Sequence, residues 1–157
     1  MDATIQAKLT ASVTPSASRA YGVIAGGVHL LLPQGLSAEL LHDQTITRVL
    51  LAPSALRGVS NVRGALLPVF DFGVLIGGQS QEDGQLLMLG QHPGAVGMLV
   101  QSYPQALSNL VLVPDAPVPE ILKPHLRNIW QQQQQYWLEI DFLPLFRDLA
   151  ARQAPSK

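Results

Sequence analysis

Leu56-Arg57-Gly58-Val59-Ser60-Asn61-Val62-Arg63-Gly64-Ala65-Leu66-Leu67-Pro68-Val69-Phe70-Asp71 is the least ordinary stretch of this chain. Two Arg-Gly steps flank a short apolar-polar run. Glycine lets a backbone turn or approach a neighbour closely, and arginine presents a rigid five-donor fork. Arg57 and Arg63 share a face only if the run between them stays extended. Chemistry alone leaves two readings open: contact with a partner, or Arg63 bracing a carboxylate such as Asp71 inside the fold. From Ala65 to Phe72 the chain reads as extended, with Leu66, Pro68, Phe70 and Phe72 on one face and Leu67, Val69 and Asp71 on the other. Pro68 cannot donate to a ladder, so an edge strand or a bulge is expected there.

Upstream, Tyr21–Ala25 and Val28–Leu32 form a hairpin pattern around Gly26-Gly27, a pair suited to a turn with positive φ. Residues 36–41 fit helical and strand spacing equally well. Thr45–Leu51 is β-rich and runs into Pro53, where a short turn or helix can start. Residues 1–18, rich in Ala, Ser and Thr, read as a flexible arm.

Downstream, Gly77–Gly84 reads as an exposed loop, and Gln85–Leu89, Ala95–Gln101 and Leu107–Val113 repeat the short-strand pattern. Pro114, Pro117, Pro119 and Pro124 make a stiff connector. Ile129–Trp130 and Tyr136–Ile140 are expected to pair across Gln131–Gln135. Asp141 is suited to N-cap a helix with Pro144 in its first turn. Phe142, Leu145, Phe146 and Leu149 mark its apolar stripe, and Asp148 is spaced to pair with Arg152. The pattern is all-β with a C-terminal amphipathic helix. No exact internal repeat stands out, although both halves have a similar density of strands.

Composition narrows the function. In 157 residues, 47% are hydrophobic and 13% charged, too apolar and too weakly charged for a disordered tail. The net charge of −1 argues against general nucleic-acid binding, and the absence of cysteine excludes disulfides and thiolate chemistry. No apolar run approaches the ~20 residues of a bilayer span, and Met1–Ala20 lacks a signal core, so the chain reads as cytoplasmic. His29, His42, His92 and His125 are scattered rather than set at metal-ligand spacing, so no metal site is assigned. Glu139 and Asp141 are the best carboxylate pair for hydrolysis, but a solvated Glu139 and a helix-capping Asp141 explain them more simply. No catalytic residue and no cofactor are assigned. An oligonucleotide-binding barrel, the alternative of a different class, would need a basic stripe with exposed aromatics, whereas only Arg48, Arg57 and Arg63 lie near one another.

The opening stretch resembles the signature of CheW-like domains, the coupling proteins of bacterial chemosensory arrays. Gly58, Val59, Asn61, Val62, Arg63, Gly64, Leu66, Leu67, Pro68, Val69, Phe70 and Asp71 meet it, and Asn61, Gly64, Pro68 and Asp71 are its structural positions. The resemblance extends from about Arg19 to Leu149. Tyr21–Leu32 is similar to the family's opening hairpin, Glu39-Leu40 to its acidic-apolar step, Ala95–Val100 to its central second-half strand, and Trp137–Phe146 to its final strand and helix. The wording from Asn61 to Pro68 is closest to the twitching-motility version, the PilI kind.

The resemblance implies two small SH3-like five-stranded β-barrels that share a core, within a CheW-like domain at 19–150 (halves 19–78 and 85–150) and a tail at 151–157. It implies a non-catalytic adaptor with two partners. One is the cytoplasmic tip of a methyl-accepting chemoreceptor, bound in the groove between the barrels; the other is the regulatory domain of a CheA-type histidine kinase, bound through barrel ends. The receptor-side positions it implies are Glu39, Leu40, Gly58, Arg63 and Val100. A CheW-like scaffold outside a receptor array is the nearest alternative. Two positions depart from the family pattern: Gln101 stands where an Asp is usual, and Ser37 where an apolar residue is common.

Overall fold

The computed structural model describes residues 20–80 and 84–153. The arm expected at 1–18, residues 81–83 of the central loop and residues 154–157 of the tail lie outside them. Its strands are β1 (Ala20–Ala25), β2 (Val28–Leu32), β3 (Ala38–Leu41), β4 (Leu56–Val62), β5 (Ala65–Asp71), β6 (Gln85–Leu89), β7 (Val96–Val100), β8 (Gln105–Leu107), β9 (Val111–Val113), β10 (Leu126–Gln132) and β11 (Gln135–Ile140). A short helix α1 (Phe72–Leu75) follows β5, a 3-10 helix (Glu120–His125) precedes β10, and α2 (Phe142–Gln153) follows β11, running past the boundary expected at 150.

The strands form two curled sheets, ordered β9-β10-β11-β2-β1-β8 and β3-β6-β7-β5-β4. The second has the five strands expected; the first has a sixth because the Leu107–Val113 stretch breaks into β8 and β9 at Asn109, whose φ is 58°. Each sheet draws strands from both halves of the chain.

Leu30-Leu31-Leu32, Leu86–Leu89 and Met98-Leu99-Val100 are unbroken apolar runs because both faces of their strands are buried. Leu30, Leu32, Leu87, Leu89, Met98 and Val100 enter an interior shared by the two sheets. Their neighbours turn the other way, Leu31 into the first barrel with Trp137 and Leu107, and Leu86, Met88 and Leu99 into the second with Leu41, Val62, Leu67 and Val69. The apolar stripe of α2 closes the shared interior, with Phe146 stacked on Phe70 at 4.8 Å. Asp148 meets His125 at 3.5 Å; the pairing expected with Arg152 falls on a side chain outside the described residues.

The two barrels are copies of one unit. The β4–β5 ladder, Leu56↔Phe70 through Val62↔Ala65, recurs residue for residue 70 positions later as Leu126↔Ile140 through Gln132↔Gln135. Both ladders are irregular at the matching place, between Leu56 and Gly58 and between Leu126 and Asn128. Asp71 N–H donates to the Ala55 carbonyl and Asp141 N–H to that of His125. Asp-Phe-x-x-Leu follows in both copies, at 71–75 and 141–145. The kinked strand recurs 66 positions apart: β3, Asp43 (φ 56°) and Thr47 in one copy, β8, Asn109 (φ 58°) and Val113 in the other. Yet neither copy closes on itself. Hairpin β1–β2 joins the strands of the second half, and hairpin β6–β7 joins those of the first.

Two expectations are corrected. Pro68 lies on an interior strand, not an edge or bulge; β5 has β4 on one side and β7 on the other. Val59 directs its backbone N–H and C=O away from Pro68, to Thr47, and the parallel pairing with β7 begins only at Val69. The proline nitrogen therefore falls where no ladder donor is needed. Thr45–Leu51 is not a strand: Thr47 alone bridges to Val59, and Leu51 turns with φ 62°.

Thr47 and Val59 exchange two 2.8 Å backbone bonds, which close the second barrel over Gly58. A Cβ on Gly58 would strike the Thr47 carbonyl oxygen and lie 2.7 Å from its carbon, while the glycine's φ is 151°. Gly58→Ala is expected to lower unfolding free energy by ~3 kcal/mol in denaturant melts. Asn128→Ala, at the matching place in the other copy, should cost about 1 kcal/mol or less.

Candidate functional site

Arg63 and Gly64 form the two-residue turn between β4 and β5, with φ of 50° and 88°. Both positive values suit a type I′ hairpin, and Asn61 Oδ1 accepts the Gly64 N–H at 3.0 Å to hold it. The turn projects Arg63 across the barrel mouth toward the opposite edge strand. There its fork meets Glu39 of β3 twice, Nη2–Oε1 at 2.8 Å and Nη1–Oε2 at 3.2 Å, with the Met88 sulfur 4.0 Å from Nη2. Both ends remain exposed, 62% for the Arg63 side chain and 49% for Glu39. The hydrogen bond from Arg63, helped by its charge, holds the Glu39 carboxyl below its ordinary range, and Glu39 in turn raises Arg63.

Leu40, next along β3, points to the other face. It lines a groove of about 410 Å³ between the barrels, with Tyr21 and Leu32 from the first sheet and Ala38 and Leu87 from the second. The groove lies where the chain crosses between barrels, at Pro33–Leu36 and at Pro104. Tyr21 and Leu87 hold matching positions in the two copies, as do Ala38 and Pro104, so the groove straddles the internal two-fold relation.

Three of the five expected receptor-side residues, Glu39, Leu40 and Arg63, are thus brought together on one edge. The other two are not. Val100 is fully buried in the shared interior and offers no surface, because its strand is covered on both faces. Gly58 is buried beneath Thr47 and acts through barrel closure.

The bracing expected of Arg63 on Asp71 falls instead to Arg57. The irregularity in β4 turns Arg57 toward the end of β5, where its Nη1 lies 3.2 Å from the fully buried Asp71 carboxylate. Asp71 also accepts from Ser80 Oγ at 2.8 Å and from Val74 N–H at 3.3 Å, capping α1. Gln101 likewise finds a structural use: Oε1 accepts the Gly27 N–H at 2.6 Å, its own N–H donates to Ile24, and Ser102 Oγ accepts from Ile24 at 3.3 Å. These bonds pin the crossing segment to the first hairpin. Ser37 is exposed and offers its carbonyl to Gly90.

Of the chemistry-bearing candidates, Glu139 accepts from Trp130 and Asn128, Asp141 directly precedes α2, and neither lines the groove. Arg57 and Arg63, two of the three arginines of a would-be basic stripe, face carboxylates. Among the described residues no group of three His, Cys, Asp or Glu could hold a metal, and no helix is long and apolar enough to cross a membrane.

The copy comparison supplies a signal that the motif alone lacks. At the places of Glu39 and Arg63 the other copy carries Gln105 and Gln133, and its hairpin forms with the same register, its two-residue turn also opening on a left-handed residue, Gln133 at φ 55°. The ion pair is therefore dispensable for the fold. Exchanging both partners together, Glu39→Gln with Arg63→Gln, should leave the melting temperature nearly unchanged at neutral pH; a loss like that of Gly58→Ala would make the pair a structural brace. By NMR titration, the Glu39 midpoint should lie below its ordinary 4.5 and move back up in Arg63→Gln. Because the folded-state pKa is lowered, the pair's small contribution is present above the ordinary value and fades as pH falls through the lowered one.

A family model described as CheW-like domain matches residues 21–150. The fold is similar to that of the scaffolding protein TtCheW from Thermoanaerobacter tengcongensis, with a TM-score of 0.67 and 19% sequence identity over 82% of this chain and 91% of that one. No curated protein sequence matches the chain.

Proposed function

The chain belongs to the CheW-like domain family, and from that membership we propose that it is a non-catalytic cytoplasmic adaptor, residues 19–150 forming the coupling unit. It joins the cytoplasmic tip of a methyl-accepting chemoreceptor to the regulatory domain of a CheA-type histidine kinase. The observation that carries this reading is the exposed Arg63–Glu39 pair beside an apolar groove, kept in one copy of the unit and replaced by glutamines in the other. A feature that the fold can do without, on an exposed edge, is a feature for a partner.

The receptor tip packs against Leu40, Tyr21 and the rest of the groove, which supply apolar contact. Arg63 and Glu39 at its rim set register and electrostatic selectivity. The kinase domain takes the apolar barrel ends, where Leu50 and Leu51 stand more than 90% exposed. The wording Asn61–Pro68 favours a twitching-motility system.

Capture from native cytoplasm tests the assignment. Wild type should retain a receptor and a CheA-type kinase. Arg63→Gln and Leu40→Ser, with melting temperatures unchanged or slightly lowered, should lose the receptor at least tenfold and keep the kinase. Recovery of neither partner by wild type would overturn the reading.

A further inference from the structure

Residues 1–19 end at Ala20, and Tyr21 directly after it stands in the wall of the groove between the barrels. Val23 and Ala25, on the same face of β1 as Tyr21, lie in the shared interior. At Tyr21, 41% exposed, that face opens into the groove. The chain therefore enters the fold at the groove's rim, and Leu32, Leu40 and Leu87 supply apolar surface on both sides of it.

The segment that arrives there has a pattern of its own. Met1, Ile5, Leu9 and Val13 are its only large apolar residues, and they recur at every fourth position among small and polar ones. Such spacing sets them along one helical face, and a short helix in water is marginal unless that face is covered. Thr14-Pro15-Ser16-Ala17-Ser18, between this stripe and β1, is turn chemistry. From Val13 to Ala20 the chain spans at most about 25 Å, so a reversal at Pro15 lays the stripe back along the wall that Tyr21 begins.

We propose that residues 1–19 fold back into the groove, with Leu9 and Val13 seated beside Leu40 and Leu87, so that an arriving partner must displace them. An amphipathic segment in an apolar groove is a common mode of recognition. Tethering holds the stripe at an effective concentration on the order of millimolar, so a weak contact suffices to close the groove. The competition, though not the occupancy, rests on the reading of this groove as the receptor site.

The chain has no cysteine, so a nitroxide on Gln6→Cys labels one place in the full chain. By NMR, the broadening it causes should centre on the amides of Ala38, Leu40 and Leu87. Leu9→Ser with Val13→Ser should abolish that broadening and leave the melting temperature little changed. Receptor capture by the double variant should rise about threefold, as expected if the groove is closed in about two of three molecules, with kinase capture unaltered. Broadening that is absent, spread evenly or centred on Val111–Val113 overturns the proposal. Capture that does not rise, although wild type binds receptor, overturns the competition. If neither wild type nor variant captures a receptor, the coupling reading fails, while the broadening still decides where residues 1–19 lie.

Discussion

Each barrel is completed by a hairpin from the other half of the chain, and most of what is distinctive here follows from that constraint. The β4–β5 ladder needs β6–β7 beside it, and β10–β11 needs β1–β2. Strands at the junction therefore lie against their own barrel on one face and the neighbouring barrel on the other. Residues such as Leu31, Leu99 and their neighbours must be apolar at successive positions. Neither half can bury its surface alone, so folding couples the two barrels. The exchange also requires two crossings, at 33–37 and 101–104, and a groove opens between them. The site is a consequence of the connectivity rather than an addition to it.

Repetition within one chain separates what the fold needs from what it merely carries. Leu56 and Leu126 pair beside the bulge, Asp71 and Asp141 directly precede a helix, and Phe72 and Phe142 enter the shared core, and at each pair the residue is the same in both copies. The barrel interiors keep their volume but not their residues. Gly22 leaves room for the Trp137 ring in the first barrel, where Met88 and Leu67 stand in the second; Gly97 yields space there to Leu86 and Leu67, where Leu31 stands in the first. Glu39 and Arg63 follow neither pattern. They are exposed, they bury nothing, and their counterparts have lost both charges.

Much of this was legible in the residues. The Gly26-Gly27 turn, the opposed faces of Ala65–Asp71 and the stripe of α2 depend on local chemistry, and each was found where that chemistry pointed. What escaped depended on partners distant in sequence. Pro68 obeys the rule that proline avoids ladder donors, but whether a donor is needed depends on where β7 begins to pair. Val100 entered through the family resemblance alone, and nothing in its own strand shows that a second barrel covers it. The exchange of arginines, Arg57 to Asp71 and Arg63 to Glu39, turns on one irregular residue in β4. The internal duplication was present as Leu-Arg at 56 and 126 and as Asp-Phe-x-x-Leu at 71 and 141. Intervening positions had diverged too far for identity to reveal it, and the register of the ladders was needed to align them.

The Arg63–Glu39 pair is suited to recognition because it is weak as a brace. Exposed ion pairs in water contribute little to stability, since solvent screens them and two long side chains must be held still. Here the bidentate contact and the left-handed turn have already ordered the guanidinium, so a partner meets a cation in a fixed direction and loses less entropy in binding it. Glu39 also imposes a condition. An acidic group arriving at Arg63 must compete with a carboxylate already seated there, while a basic group gains Glu39 only by disengaging Arg63. A partner that presents both signs, spaced to engage Arg63 and Glu39 together, avoids either conflict. In the proposed coupling role, selectivity would come from the pair as a unit, and apolar contact in the groove beside Leu40 would carry the affinity.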